Sequence, residues 1–128
     1  MGVTFEFTVN QLMRLDSLDM TDEDRAIIYA GVSAANSSHV LITHGTDGMA
    51  ETAAKLTAIQ NKTIVLTGSL QPAAFAHNDA VFNIGCAVGA IQSLPPGVYV
   101  AMSGRIFAAK NVVKNTAENR FEAIAEKH

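Results

Sequence analysis

The sequence predicts an α/β fold: a mainly parallel sheet with helices on both faces, three layers in all. Three observations carry this. Short apolar runs recur at Val40–His44, Thr63–Thr67 and Val98–Met102. Segments of helical period separate them, over about Asp22–Ala35, Met49–Gln60 and Ala80–Gln92. No internal repeat, linker or low-complexity stretch interrupts the alternation. Apolar strands that alternate with helices imply a parallel sheet, because the helices cover both of its faces.

The elements follow in order. Phe5, Phe7 and Val9 alternate with Thr4, Glu6 and Thr8, the pattern of a half-exposed strand. Asp16-Ser17-Leu18-Asp19-Met20 reads as a polar loop. Thr21 and Asp24 make a capping-box start with three acids in the first turn. Ile27, Ile28, Ala30 and Val32 form the apolar stripe of the helix that follows. The apolar run to His44 ends in a tight loop, Gly45-Thr46-Asp47-Gly48. Ala53, Leu56 and Ile59 mark the inner side of the next helix. After Thr67, Gly68-Ser69 closes the second run, and Asn78 or Asp79 caps a helix rich in small residues (Gly85, Ala87, Gly89, Ala90). Such residues suit close packing on a sheet or partner. Pro95-Pro96-Gly97 is a hard break. Val98–Met102, Ile106–Ala108 and Val112–Lys114 read as extended, and Thr116 as the cap of a final helix bearing Phe121, Ile124 and Ala125. The expected whole is a three-layer α/β/α, Rossmann/flavodoxin-like domain spanning residues 1–128. In such folds ligands sit beyond the carboxyl ends of the strands. The loops after His44, Thr67 and Met102 should therefore share one rim.

Composition narrows the function. With 48% hydrophobic and 16% charged residues the chain belongs to the globular class, not the disordered one. A net charge of −3 argues against a nucleic-acid partner, which would call for a basic patch. The lone Cys86 excludes an intrachain disulfide framework and reads as a small core hydrophobe. Neither a signal peptide nor an apolar run of membrane length is visible, so a cytoplasmic location is expected. His39, His44, His77 and His128 show no metal-ligand spacing, and no phosphate-binding glycine motif occurs. Neither a metal nor a cofactor is expected. Arg105 and Lys110 read as solvated hairpin charges, and His44 as a packed residue at a strand end.

The stretch His44–Gly48 carries the most chemistry. Its glycines permit positive φ and close backbone approach. The helix start behind it offers free N–H groups suited to a carboxylate. Thr46 adds a hydroxyl, and Asp47 an acid able to hold an ammonium. Together these groups complement an amino acid. The same residues also suit a plain helix cap.

Four ordered blocks add a resemblance. Val40–Leu56, VLITHGTDGMAETAAKL, resembles the second signature of the bacterial-type L-asparaginases. Leu15–Met20 resembles that family's Asp-Ser-x-Asp-Met loop. Val65–Asn83, with Asp79 and Phe82-Asn83, resembles its Val-x-Thr-Gly-Ser stretch, and Val98–Thr116 its strand and hairpin leading to a lysine. The blocks cover roughly Phe7 to Phe121 and resemble the amino-terminal domain. The resemblance implies hydrolysis of the side-chain amide of asparagine, or a related amide, to the acid and ammonia. It implies Thr46 as a catalytic hydroxyl, Lys114 as its base and Asp47 as holder of the substrate ammonium. Ser17, with Asp16 beside it, would bind the α-carboxylate. Gly45 and Ser69 would line the rim, and backbone N–H groups near Gly45 or Gly68 would stabilise an oxyanion.

Departures from the family pattern are equally plain. The opening Gly-Gly-Thr-Ile strand, whose threonine is usually assigned as first nucleophile, has no counterpart, nor has the tyrosine loop behind it. Tyr29 falls in a helix and Tyr99 in a strand, so neither replaces the loop tyrosine. The carboxy-terminal domain is missing, Gly48 stands where the family has a second threonine, and Ala50 where it has an acid. The opening methionine suggests a complete short protein, a fragment being the alternative. Three readings follow: an amidohydrolase using the reduced site, a non-catalytic amino-acid-binding or oligomerisation domain, and a subunit completed by another polypeptide. With the family's central opening strand absent, the resemblance implies that Phe5–Val9 pairs with Val40–His44 or that a second chain fills the gap, and either favours a homodimer or higher homo-oligomer.

Overall fold

The capping box at Thr21 forms as expected: Asp24 N–H donates to Thr21 Oγ1 at 3.2 Å, and Thr21 N–H to Asp24 Oδ2 at 2.9 Å. A cap of this kind contributes about 1 kcal/mol. It starts α1, Asp22–Ala34, which buries Arg25, Ile28 and Val32; Ile27, expected in the stripe, is half exposed. The computed structural model describes residues 3–13, 17–71 and 79–124. After α1 come β1 (His39–Thr43), α2 (Met49–Leu56), β2 (Thr63–Thr67), α3 (Ala80–Ser93), β3 (Gly97–Met102) and β4 (Arg105–Ala108). A hairpin of β5 (Val112–Asn115) and β6 (Arg120–Ala123) follows.

One sheet has the order β1-β2-β3-β4, parallel across its first two pairings and antiparallel at the last. Ser103 and Gly104, at φ 55° and 80°, make the two-residue turn between β3 and β4. Two positive φ values in succession match the twist of a tight hairpin. Side chains alternate across the sheet. Ile64, Leu66, Val98, Val100 and Met102 join the core against α1 and α2, and Val65 and Ala101 pack with Ala87 and Ile91 of α3. The expected three layers are therefore present. The strands step in one direction from β1 to β3 while α2 and α3 cover opposite faces, so the two crossovers have opposite hand. One of them is left-handed, against the strong preference for right-handed βαβ units.

Four expectations are corrected. Residues 5–9 form no strand: Phe5, Phe7 and Val9 are 44%, 51% and 83% exposed, and among the described residues β1 remains an edge. Alternation alone supplies no partner, and a strand without ladder bonds gains little. The final helix is also absent through residue 124. Residues 116–119 turn, with Asn119 at φ 51°, and β6 pairs back on β5. Burying Phe121 beside Val112, both 4% exposed, outweighs the local capping signal at Thr116. Gly85 and Gly89 face away from the sheet, with nothing within 4 Å of where a Cβ would stand. Cys86 is only half buried. In addition, α2 stops at Leu56, and Ile59 N–H turns back to the Leu56 carbonyl. Among the described residues no helix is long and apolar enough to cross a membrane.

Candidate active site

Parallel pairing places the carboxyl ends of β1, β2 and β3 on one rim. The first two ends are in close backbone contact. His44 N–H donates to the Thr67 carbonyl at 2.9 Å, and a Cβ at Gly68 would stand 2.3 Å from the His44 carbonyl oxygen. Only glycine fits there. Gly45, Thr46, Asp47 and Gly48 then leave the sheet as a short 3-10 turn over 46–48, running into α2. Gly45 has φ −63° and Gly48 φ −110°, so neither uses the positive φ that glycine permits.

The hairpin brings Lys114 to this turn across 68 positions of sequence. Its Nζ lies 2.9 Å from Thr46 Oγ1 and 2.7 Å from Asp47 Oδ1. The lysine side chain is 12% exposed and the aspartate 32%, so the pair sits at the edge of solvent. Phe121 faces Lys114 in the β5–β6 register, and its burial anchors the strand that carries the amine. Thr46 itself is 8% exposed. A hydroxyl, an amine and a carboxylate within hydrogen-bonding distance can move a proton and hold a cation.

His44 lies beneath them, buried. Its Nδ1 is 2.7 Å from the Gly45 carbonyl oxygen and its Nε2 2.8 Å from Thr52 Oγ1 on α2. Burial holds its pKa below the usual histidine value against the raising effect of the Gly45 bond, and the Arg25 guanidinium adds to the lowering. Arg25 reaches Asp22 at 3.4 Å and Glu51 at 3.3 Å. Its buried Nε has no partner among the described residues.

The second loop is organised by Asp79. Its carboxylate accepts the Ser69 hydroxyl and the N–H groups of Leu70 and Gln71. Burial pushes this carboxyl up, but the Ser69 and backbone bonds outweigh it and hold it below the usual value. Asn83, fully buried, donates to the Gly68 carbonyl at 2.8 Å and to Asp79 at 3.0 Å, and accepts Ser103 N–H at 2.9 Å. It therefore joins the second loop to the turn after β3.

Of the sequence candidates, Thr46, Asp47, Lys114 and Gly45 come together. Ser69 instead bonds within its own loop, to Asp79 and the Gln71 carbonyl. A 3-10 turn over Ser17–Asp19 packs against the 46–48 turn. The Ser17 side chain and Asp16 lie outside the described residues. Arg105 is exposed, its guanidinium 4.7 Å from the Phe107 ring centroid. Among the described residues no three His, Cys, Asp or Glu side chains gather as a metal-ligand set. The structural parts played by Arg25, Thr52 and Asn83 had no local signature. Only the four-residue step from Asp79 to Asn83, one helical turn, hinted that those two act together.

A family model described as asparaginase, N-terminal, matches residues 2–128. An L-asparaginase of Thermococcus kodakarensis is 34% identical over 120 residues, which is 88% of this chain and 37% of that protein. A probable periplasmic L-asparaginase of Haemophilus influenzae is 34% identical over 113 residues, 83% of this chain and 32% of that one. Among solved structures, the thermostable L-asparaginase of Thermococcus kodakarensis superposes with a TM-score of 0.78 at 31% identity, covering 87% of this chain and 36% of that chain. A probable cytoplasmic L-asparaginase of Campylobacter jejuni gives 0.75 at 33%, covering 82% and 35%. The chain thus spans about a third of the length of these relatives.

Proposed function

The chain belongs to the asparaginase family through its amino-terminal domain, and from that premise we propose that it hydrolyses the side-chain amide of L-asparagine, or of a related small amide, to the acid and ammonia. One observation carries the reading: Lys114 Nζ bridges Thr46 Oγ1 and Asp47 Oδ1 at 2.9 and 2.7 Å. The Lys114 amine takes the Thr46 proton as Oγ1 bonds to the amide carbon. The resulting ammonium returns that proton to the departing nitrogen, which leaves as ammonia. Water then cleaves the threonine ester by the same exchange, releasing the acid and restoring the hydroxyl. Asp47 holds the substrate ammonium, and Ser17, whose turn lies against that of Thr46, anchors the α-carboxylate with Asp16 beside it. Gly45 and Ser69 line the rim. These steps need neither metal nor cofactor.

Ammonia release from L-asparagine, L-glutamine and a panel of amidated amino acids tests the reading. Thr46→Ala and Lys114→Ala should each lower the rate by about 10²–10⁴. Unchanged rates in both variants would overturn the mechanism. Silence of the parent protein across the panel would leave a binding or partner-completed domain.

That second reading has its own support. Among the described residues β1 is a sheet edge, and the exposed Phe5, Phe7 and Val9 offer an alternating row elsewhere on the chain. An open apolar edge is a template for another strand. A homodimer or higher homo-oligomer is the expected state, and light scattering that shows monomer at every concentration would remove it.

A further inference from the structure

We infer that His44 is a positioning residue for Thr46, acting as a neutral imidazole whose Nδ1–H clamps the Gly45 carbonyl. The inference rests on Thr46 being the reacting hydroxyl, and its consequence is local geometry. A carbonyl oxygen only accepts, so the 2.7 Å contact requires the hydrogen on Nδ1. In the neutral ring Nε2 is then bare and accepts the Thr52 hydroxyl at 2.8 Å. Thr52 is fully buried, and among the described residues its hydroxyl otherwise has only the Met20 sulfur at 3.8 Å to donate to. A second ring hydrogen, on Nε2, would reverse this bond and turn the Thr52 hydroxyl hydrogen toward the distant Met20 sulfur. Charge around the ring also favours the neutral form. From α1 comes the Arg25 guanidinium, already engaged by Asp22 and by Glu51 of α2. The β2 end offers only Thr67 and Gly68, which are uncharged.

The clamp matters because of what a peptide group is. In a planar trans peptide the Gly45 carbonyl and the Thr46 N–H point in opposite directions. No cis bond occurs among the described residues. Holding the carbonyl therefore fixes the plane through which the chain enters Thr46. Gly45 has no side chain to resist a rotation of that plane. Such a rotation would swing the Thr46 Cα–Cβ bond away from Lys114 Nζ, now 2.9 Å from its hydroxyl. A misplacement of about 1 Å costs on the order of 100-fold in rate. The imidazole acts on Thr46 through the backbone and needs no contact with substrate.

Two amide replacements separate positioning from bulk packing. In His44→Asn the side-chain NH2 stands about where Nδ1–H does and can donate to Gly45. In His44→Gln it stands about where Nε2 does and meets Thr52. Both remove the ring, so both should lose similar stability. The expected result is kcat within about tenfold of the parent for His44→Asn, and a loss of roughly 100-fold for His44→Gln with KM little changed. A readout independent of turnover accompanies it: ring ¹⁵N shifts of the parent protein should show a hydrogen on Nδ1 and none on Nε2 near neutral pH. The Thr46 amide resonance should stay in place in His44→Asn and move in His44→Gln. An Nε2-protonated ring, or equal displacement of the Thr46 amide in both variants, would overturn the clamp. A parent that releases no ammonia yet shows the Nδ1 tautomer and the selective Thr46 shift would defeat the proposed activity and leave the clamp standing.

Discussion

Replacing Asn83 by alanine should separate the loops of the rim. The side chain is fully buried and makes three bonds: to the Gly68 carbonyl at 2.8 Å, to the Asp79 carboxylate at 3.0 Å, and from Ser103 N–H at 2.9 Å. Two neutral bonds at about 1 kcal/mol each, and one to a charged group at about 1.5 to 2, sum to roughly 3 to 4 kcal/mol. Full stranding of the partners would cost more, but Ser103 is exposed and Asp79 partly so, and water can reach them. The expected loss is therefore about 3 kcal/mol, a large share of the roughly 5–15 kcal/mol available to a domain. Urea unfolding followed by circular dichroism measures it, with a fall in melting temperature on the order of 10 °C. Asn83→Asp is the control: it keeps an acceptor for Ser103 N–H but sets a second carboxylate against Asp79, and it should be no more stable than the alanine variant. A loss below about 1 kcal/mol for Asn83→Ala would refute the view that this residue ties the β2 loop to the β3 turn.

Two further outcomes are expected. Phe121→Ala empties a buried site and should cost about 3–5 kcal/mol in the same urea assay; a loss under about 1 kcal/mol would show that the hairpin carrying Lys114 is not part of the core. Acid should destabilise the fold in two stages, read as urea midpoints between pH 8 and pH 3. His44 has its folded pKa lowered, so its contribution is in place above the unfolded value near 6.5 and is lost as pH falls below it. Asp79, also lowered, contributes above about pH 4 and loses that contribution as pH falls further. His44→Asn should flatten the first stage, and a midpoint as steep as the parent's between pH 7 and pH 5 would refute the assignment.

Much of this was legible in the residues. The capping box at Thr21 and Asp24, the three apolar strands and the loop from His44 to Gly48 are local features, set by side-chain period and by turn and cap chemistry within a few positions. The same locality misled at both ends. Phe5, Phe7 and Val9 carry the alternation of a strand without a partner to bond, and Thr116 carries the signal of a cap in a segment that turns back instead. At Ser69 the residue type gave no sign that the carboxylate ten positions later engages its hydroxyl.

By itself, then, the sequence determined an α/β chain with a threonine and an aspartate on a turn at the end of an apolar strand. It also placed a lysine on an extended segment far along the chain. Beyond the lysine's role that the family resemblance implied, tertiary structure decided how the lysine reaches the threonine, that one crossover is left-handed, that β1 is an edge among the described residues, and that His44 meets the Gly45 carbonyl and Thr52. The reason is physical. Period and cap preference are energies between neighbours in sequence, whereas strand partners, crossover hand and a hydrogen bond spanning 68 positions depend on which distant surfaces bury one another best.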